Sequence, residues 1–212
     1  MSTTITAFES VTLDGVLQGP GRPDEDTRDG FTEGGWGNGF TDDVLMQFLG
    51  AGMQSPGALL FGHRTYTDLM NHWTSVGTPN PFTERLVKAR KYVVSRSADV
   101  ELEYPNSTLL AGDATETVER LRREGTLPIQ ILGSGELVRT LHRAGLIDRY
   151  TLLVHPIVMG SGRRLFRRRR PGRPHVGAGP ADHHRRGDRG IFGELRRTVT
   201  RPVRHRLAPS RP

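Results

Sequence analysis

Three short motifs combine glycine, arginine and hydroxyl side chains directly after an apolar segment. They are Gly62-His63-Arg64-Thr65-Tyr66, Ser95-Arg96-Ser97 and Gly133-Ser134-Gly135-Glu136-Leu137. Glycine lets a backbone approach a phosphate, arginine supplies positive charge, and the free N–H groups at a helix start bind anions. These residue types therefore predict a site for a ligand that carries phosphate groups.

Each motif alone has an ordinary structural interpretation. A Gly-Ser-Gly turn before a helix is common, and a Ser-Arg-Ser segment is usually solvated surface. The topology that the three motifs share favours function, since each follows a different predicted strand. A purely structural role stays open as the alternative.

The elements that must position these motifs alternate between strand and helix. Apolar runs predict strands at 4–8, 58–61, 92–95, 108–110, 129–132 and 150–159. Capping residues and apolar spacing predict helices after Thr41, over 65–71, from Asp113 to Glu124, and from the Gly133 turn to Gly145. This order predicts an α/β fold with a mostly parallel central sheet, in which ligands bind at the carboxyl ends of strands.

Other polar residues in the first part of the chain have weaker interpretations. Asp14-Gly15 is a turn signal, and residues 18–40 form a predicted long surface loop that carries Trp36. Asp42 and Asp43 suit a helix start, and His155 reads as a strand residue rather than a base. We expect no metal site, because no His, Asp and Glu cluster has convincing ligand spacing.

Composition divides the chain near Phe166. Residues 1–166 have a net charge of −4, whereas residues 167–212 contain 14 arginines and have a net charge of +11. We therefore predict a globular domain over 1–166 and an Arg-, Pro- and Gly-rich tail over 167–212 that is disordered by itself. The chain has no cysteine, which excludes disulfides, and no apolar run of membrane-spanning length, so we expect a cytoplasmic protein without membrane contact.

The order of the motifs over residues 3–166 resembles a known family. It is similar to the dihydrofolate reductase-like proteins related to the reductase domain of riboflavin biosynthesis, the RibD C-terminal domain. The segments that carry this resemblance are Leu13-Asp14-Gly15, the three motifs above, Leu146-Ile147-Asp148, and the run from His155-Pro156-Ile157 through Gly160-Ser161-Gly162-Arg163-Arg164-Leu165-Phe166.

The resemblance implies a homodimeric reductase that binds NADPH and passes a hydride to a small heterocycle, such as a pterin or pyrimidine. It assigns Gly62, Arg64 and Thr65 to the pyrophosphate or adenosine side, Ser95 and Arg96 to the 2′-phosphate, and Gly133, Ser134, Gly135, Glu136 and Leu137 to the diphosphate near the nicotinamide. His63 stands where many members have arginine. Asp14, Gly15 and Trp36 would face the substrate under a lid formed by the loop around Trp36. Asp14 is the first candidate for proton donor or substrate anchor.

The chain departs from the family pattern after Phe166, where relatives continue with two more strands. If residues 182–192 are encoded by GC-rich codons, reading one nucleotide later gives Thr-Thr-Thr and permits Val-Val-Ile-Ala, which resembles the family's last strand. We therefore hypothesise that the tail is out of frame. On this hypothesis the two strands are missing, and strand 150–159 lacks a neighbour.

Two alternative functions remain at this point. The chain could be a nucleotide-binding protein with impaired catalysis, or the tail could bind nucleic acid through incidental, salt-dependent phosphate contacts. The identity of the substrate is open.

Overall fold

The computed structural model describes residues 3–40, 42–54, 56–77 and 80–166, together with 182–187 and 190–196; for 53, 54 and the last two segments it describes the backbone alone. The strands are β1 (Ile5–Thr12), β2 (Ala58–Gly62), β3 (Lys91–Ser95), β4 (Ser107–Ala111), β5 (Ile129–Leu132), β6 (Arg149–His155), β7 (Asp182–Gly187) and β8 (Gly190–Arg196). The helices are α1 (Asp43–Gln54), α2 (His63–Ser75), α3 (Pro81–Lys88), α4 (Ala114–Glu124) and α5 (Gly135–Ala144). None of these helices is long and apolar enough to cross a bilayer.

All the strands form one sheet in the order β4-β3-β2-β5-β1-β6-β8-β7. The strands β1 to β6 pair in parallel. Parallel neighbours need crossover connections, and helices provide them except between β3 and β4, where residues 96–106 connect the strands without a helix. The predicted α/β fold with a mostly parallel sheet is confirmed. Because β1 to β6 are parallel, their carboxyl ends lie at the same end of the sheet.

The core lies on both faces of the sheet, because the central strands are covered on both sides. In β2, Leu60 packs with Val138 and Leu141 of α5, while Leu59 and Phe61 pack with Met70 of α2. A strand buried on both faces reads as a continuous apolar run rather than an alternating one. This explains why residues 58–61 are apolar throughout.

Local capping signals set the ends of two helices as predicted. The carboxylate of Asp113 accepts hydrogen bonds from the backbone N–H groups of Thr115 and Glu116 at the start of α4. Gly145 takes the left-handed conformation (φ 71°) that ends α5. Both predictions depend on local chemistry.

Helix α3 was not predicted, although its signals are present in the sequence. The side chain of Asn80 accepts a hydrogen bond from the N–H of Thr83, and Pro81 occupies the first helical position. Strand β6 ends at His155, earlier than the predicted residue 159. The backbone then turns, and the carbonyl of Ile157 accepts a hydrogen bond from the N–H of Leu13.

The expectation that the carboxyl-terminal strands are missing is wrong. Strand β8 pairs antiparallel with β6 from Arg149↔Arg196 to Val154↔Ile191, and β7 pairs with β8. Pairing between extended backbones uses main-chain N–H and C=O groups alone, so it does not require the apolar side chains sought in the sequence. The remainder of the tail lies outside the described residues, so its predicted disorder stays a prediction.

Candidate active site

The three motifs identified in the sequence lie around a single cavity of about 840 Å³. Each follows the carboxyl end of a different parallel strand, namely β2, β3 and β5. The predicted residues that line the cavity are Gly62, Arg64, Thr65, Ser95, Arg96, Ser134, Gly135, Glu136 and Leu137, together with His63. The structure therefore brings these residues together in one groove, which we call the nucleotide groove after the ligand that the sequence predicts.

A hydrogen bond joins two of the corners directly. The backbone N–H of Gly62 donates to the hydroxyl oxygen of Ser134 at 2.8 Å. Ser134 has φ 64°, a conformation that is uncommon for residues other than glycine. A Cβ atom at Gly135 would lie 2.6 Å from Leu17, and one at Gly133 would lie 3.2 Å from Thr65 at a backbone φ of 59°. A side chain at either position would have to displace Leu17 or Thr65, and at Gly133 it would also have to take the left-handed conformation that glycine favours.

The helix starts around the groove differ in how their N–H groups are used. At α5 the hydroxyl of Ser134 is engaged with Gly62 and makes no capping hydrogen bond, and α2 starts after a glycine that has no side chain to offer. At α4, in contrast, Asp113 caps the first turn. The starts of α2 and α5 thus retain N–H groups for an anion, whereas a carboxylate occupies the start of α4.

Two arginines at the groove lack an anionic partner. Arg64 and Arg96 are exposed, and neither guanidinium group makes an ion pair or hydrogen bond within the described part of the chain. Arg28 and Arg163 also line the groove, but they are paired with Asp26 and Asp29. Arg64 and Arg96 are the arginines whose charge is available to a bound phosphate.

A second, smaller cavity of about 240 Å³ adjoins the groove. We call it the ring cavity. It is lined by Glu9 and Leu17, by Gly133 of the predicted cofactor set, and by parts of the predicted loop, including Arg28. The two cavities share five lining residues, Arg28, Arg64, Thr65, Ser134 and Gly135.

Glu9 is the functional candidate that sequence reasoning missed. Its side chain is 3 % exposed, and its Oε1 atom has no hydrogen-bond partner among the described groups. Burial raises the pKa of Glu9 to about 8, although the charge of Arg139 acts in the opposite direction. One signal was available, because the alternation in β1 places Glu9 on the same buried face as Ile5 and Ala7.

Asp14 lies outside both cavities and ties β1 to the segment after β6. Its carboxylate accepts hydrogen bonds from the Thr12 hydroxyl (2.6 Å), the Met159 and Gly160 N–H groups (3.1 and 3.0 Å) and the Arg164 guanidinium (2.9 Å). The Thr12 hydrogen bond, with those from the other donors, lowers the pKa of Asp14 below its usual range. These contacts favour a structural role over the predicted role as proton donor, since such a carboxylate holds no proton at neutral pH. Gly15 (φ 80°) completes the same turn.

Trp36 also does not line either cavity. It is 8 % exposed, and its indole N–H donates to the carbonyl of Gln18. Its ring packs edge-on against His155, which belongs to a strand as predicted, with 5.1 Å between the ring centroids. The loop around Trp36 borders the ring cavity through other residues, among them Gly19 and Asp26.

Comparison with known proteins agrees with the resemblance in the sequence. The uncharacterized protein YyaP of Bacillus subtilis (strain 168) is 31 % identical over 153 residues, which cover 66 % of this chain and 76 % of that protein. The structure of Acinetobacter baumannii RibD matches with a TM-score of 0.62 at 14 % identity, over 93 % of this chain and 58 % of RibD. A Thermotoga maritima diaminohydroxyphosphoribosylaminopyrimidine deaminase/5-amino-6-(5-phosphoribosylamino)uracil reductase matches with a TM-score of 0.59 at 13 % identity, over 93 % of this chain and 57 % of that protein.

The sequence model of one family, the RibD C-terminal domain, matches residues 3–173. This range includes the three corners of the nucleotide groove, Glu9, and the whole parallel part of the sheet. The chain therefore belongs to the RibD C-terminal domain family and has its dihydrofolate reductase-like fold.

Proposed function

We propose that this chain is an NADPH-dependent reductase that transfers a hydride to a small heterocycle, a pyrimidine, a pterin or a similar compound. The observation that carries the proposal is the single groove formed by three strand ends, with Arg64 and Arg96 unpaired among the described residues. Membership of the RibD C-terminal domain family supports a reductase. The structurally similar Thermotoga maritima protein is a uracil reductase by name, which supports a pyrimidine substrate.

The donor groups of the groove fit a phosphorylated dinucleotide. Arg64, Thr65 and the open start of α5 would hold the diphosphate, and Ser95 with Arg96 would hold the 2′-phosphate. The bound cofactor would supply the hydride. The protein would align it with the acceptor and exclude water.

The ring cavity fits the part of the substrate that accepts the hydride. At about 240 Å³ it is smaller than the pockets of roughly 300–1,000 Å³ that hold drug-sized ligands. It adjoins the groove at Ser134 and Gly135, in the corner predicted to lie near the nicotinamide. One planar ring system is therefore the substrate element that we expect there.

Protection against thermal unfolding tests the cofactor assignment. We expect NADPH to raise the Tm more than NADH does, because Arg96 would contact the phosphate that only NADPH carries. Arg96→Gln should remove this difference, while the control Arg123→Gln, on the exposed surface of α4, should keep it. A folded sample that neither nucleotide protects contradicts the proposal.

Two proposals concern partners. The first is the homodimer implied by the resemblance. Light scattering of the protein as it elutes from a size-exclusion column measures the molar mass and so tests whether this dimer forms.

The second is incidental nucleic-acid binding, which would be carried by residues 167–170, four arginines outside the described residues. Replacing these four with glutamine should abolish any retention on DNA at low salt without changing nucleotide protection. Retention that persists assigns the binding to another surface.

A further inference from the structure

The carboxyl group of Glu9 lies on a face of β1 that is otherwise apolar. Ile5, Ala7 and Val11 share this face and belong to the main core, together with Val138 of α5. An ionised carboxylate without full hydrogen bonding is costly in such a place, and Oε1 has no partner within the described structure. A leucine would fill the position without that cost, so packing alone does not account for a glutamate there.

The position of Glu9 connects it to both parts of the site. Glu9 lines the ring cavity beside Ser10, and it is close in the fold to the corner at Gly133 and Ser134 that also borders the nucleotide groove. A ring placed in this cavity would be bordered both by Glu9 and by the corner predicted to lie near the nicotinamide. This is where a reduction needs a proton.

We propose that Glu9 is a catalytic residue that binds the substrate ring through its uncharged carboxyl group and donates the proton of the reduction. This inference rests on the proposed function and assigns a residue to its chemistry. The substrate class is a ring or imine with a C=N bond whose nitrogen accepts a hydrogen bond. Asp14, held as an ion by its four donors, cannot supply this proton.

The proposed step balances in atoms and electrons. As the hydride bonds to the carbon of the C=N group, the π electron pair moves to nitrogen. The O–H bond of Glu9 breaks, an N–H bond forms, and the substrate gains two electrons and two hydrogens in total. The carboxylate that remains is stabilised by the charge of Arg139 and regains a proton from water after the product leaves.

The uncharged state of Glu9 depends on burial, because the charge of the nearby Arg139 favours the ionised carboxylate. Arg139 of α5 is the cation whose charge acts on it, and the guanidinium of Arg139 also donates to the carbonyl of Arg164 at 2.9 Å. The acidic residues that line the ring cavity are engaged elsewhere: Glu25 with the N–H groups of Gly21 and Arg22, Asp26 with Arg28, and Asp68 with Arg22. The cavity also contains Arg28 and Arg64.

The first test measures the protonation of Glu9 without any turnover. Because the pKa of Glu9 is raised from 4.5 to about 8, the folded state binds a proton that the unfolded state has lost between these values. The Tm of the wild type should therefore fall as the pH rises through this range. Glu9→Gln should remove this part of the fall, and Glu33→Gln, an exposed control, should not. A ¹³C-carboxyl titration by NMR should show one resonance, absent in Glu9→Gln, with a midpoint near 8.

The second test uses NADPH oxidation with a pterin and with 5-amino-6-(5-phosphoribosylamino)uracil. The wild-type kcat should decline above about pH 8, Glu9→Gln should lose roughly 10²-fold or more in kcat, and Glu9→Asp should recover part of it. NADPH protection should be unchanged in Glu9→Gln. If Glu9→Gln keeps the wild-type kcat and pH profile, the role of Glu9 is refuted while the reductase stands. If NADPH protects neither the wild type nor Glu9→Gln against thermal unfolding, the proposed function itself is contradicted.

Discussion

The hydroxyl of Ser134 accepts a hydrogen bond from the backbone N–H of Gly62, 72 residues earlier in the chain, at 2.8 Å. This contact joins the corner after β2 to the corner after β5. It also diverts Ser134 from capping α5, so that the helix start stays open toward the groove. One side chain therefore joins two corners of the groove and leaves the N–H groups of the helix start available to an anion.

Removing the Ser134 hydroxyl should weaken nucleotide binding. We expect Ser134→Ala to cost about 0.5–1.5 kcal/mol of stability, the usual net worth of one hydrogen bond. Ser134→Gly also lacks the hydroxyl but suits the positive φ, so it should be the more stable of the two. Both should raise the Kd for NADPH, measured by calorimetry. Unchanged affinity in both variants would show that this hydrogen bond does not shape the groove.

Asp14→Asn should destabilise the protein without removing a proton donor. The charged hydrogen bond with Arg164 is lost, and we expect a cost of about 1–3 kcal/mol at pH 7. Because the pKa of Asp14 is lowered in the folded state, its contribution is present above the ordinary value of 3.8 and disappears as the pH falls further. The difference in unfolding free energy between wild type and variant should therefore shrink below about pH 4.

The same Asp14 variant separates structure from catalysis. If Asp14 only ties β1 to the segment after β6, the pH dependence of kcat should remain that of the wild type. If Asp14→Asn folds normally but its kcat no longer changes with pH at the acidic end of the range, Asp14 becomes a catalytic candidate again.

Lys91→Met should lower the stability of the region around α3. The ammonium of Lys91 is fully buried and donates to the carbonyls of Leu86, Val87 and Ala89, which lie at the end of this helix. Methionine keeps the volume but leaves these acceptors unpaired, at a cost of about 1–3 kcal/mol in urea unfolding. Lys88→Met, which removes only an exposed pair with Glu84, should change stability by less than about 0.5 kcal/mol.

The out-of-frame hypothesis for the tail predicts a specific coding sequence. Read one nucleotide later, the DNA for residues 182–192 should encode Thr-Thr-Thr followed by apolar β-branched residues. Sequencing the gene measures this directly. If the hypothesis holds, a chain with the restored frame should have a higher Tm, because apolar strands beside β6 would bury more surface than the present segment. A gene whose neighbouring frame lacks that peptide contradicts the hypothesis.

Much of the architecture follows from local chemistry, which a sequence displays directly. The apolar run at 58–61 predicts a strand covered on both faces, and Asp113 and Gly145 mark helix ends through their own backbone and side-chain preferences. The same reasoning could also have found α3, which was not predicted although Asn80 and Pro81 carry the signal. The glycine and arginine motifs after β2, β3 and β5 could likewise be found one at a time.

The assembled site depends on distances between residues far apart in the chain. Glu9 acquires its unpaired, buried state only when α5 packs on β1. Asp14 receives one hydrogen bond from the nearby Thr12, but its other donors, Met159, Gly160 and Arg164, lie 145 to 150 positions later. Burial and hydrogen bonding decide whether a carboxyl group is charged, and neither is a property of the residue type. The chain sequence thus identifies the family, the parallel sheet and the three corners that meet at the groove. Only the packed structure distinguishes the carboxyl group that keeps a proton from the one that anchors a turn.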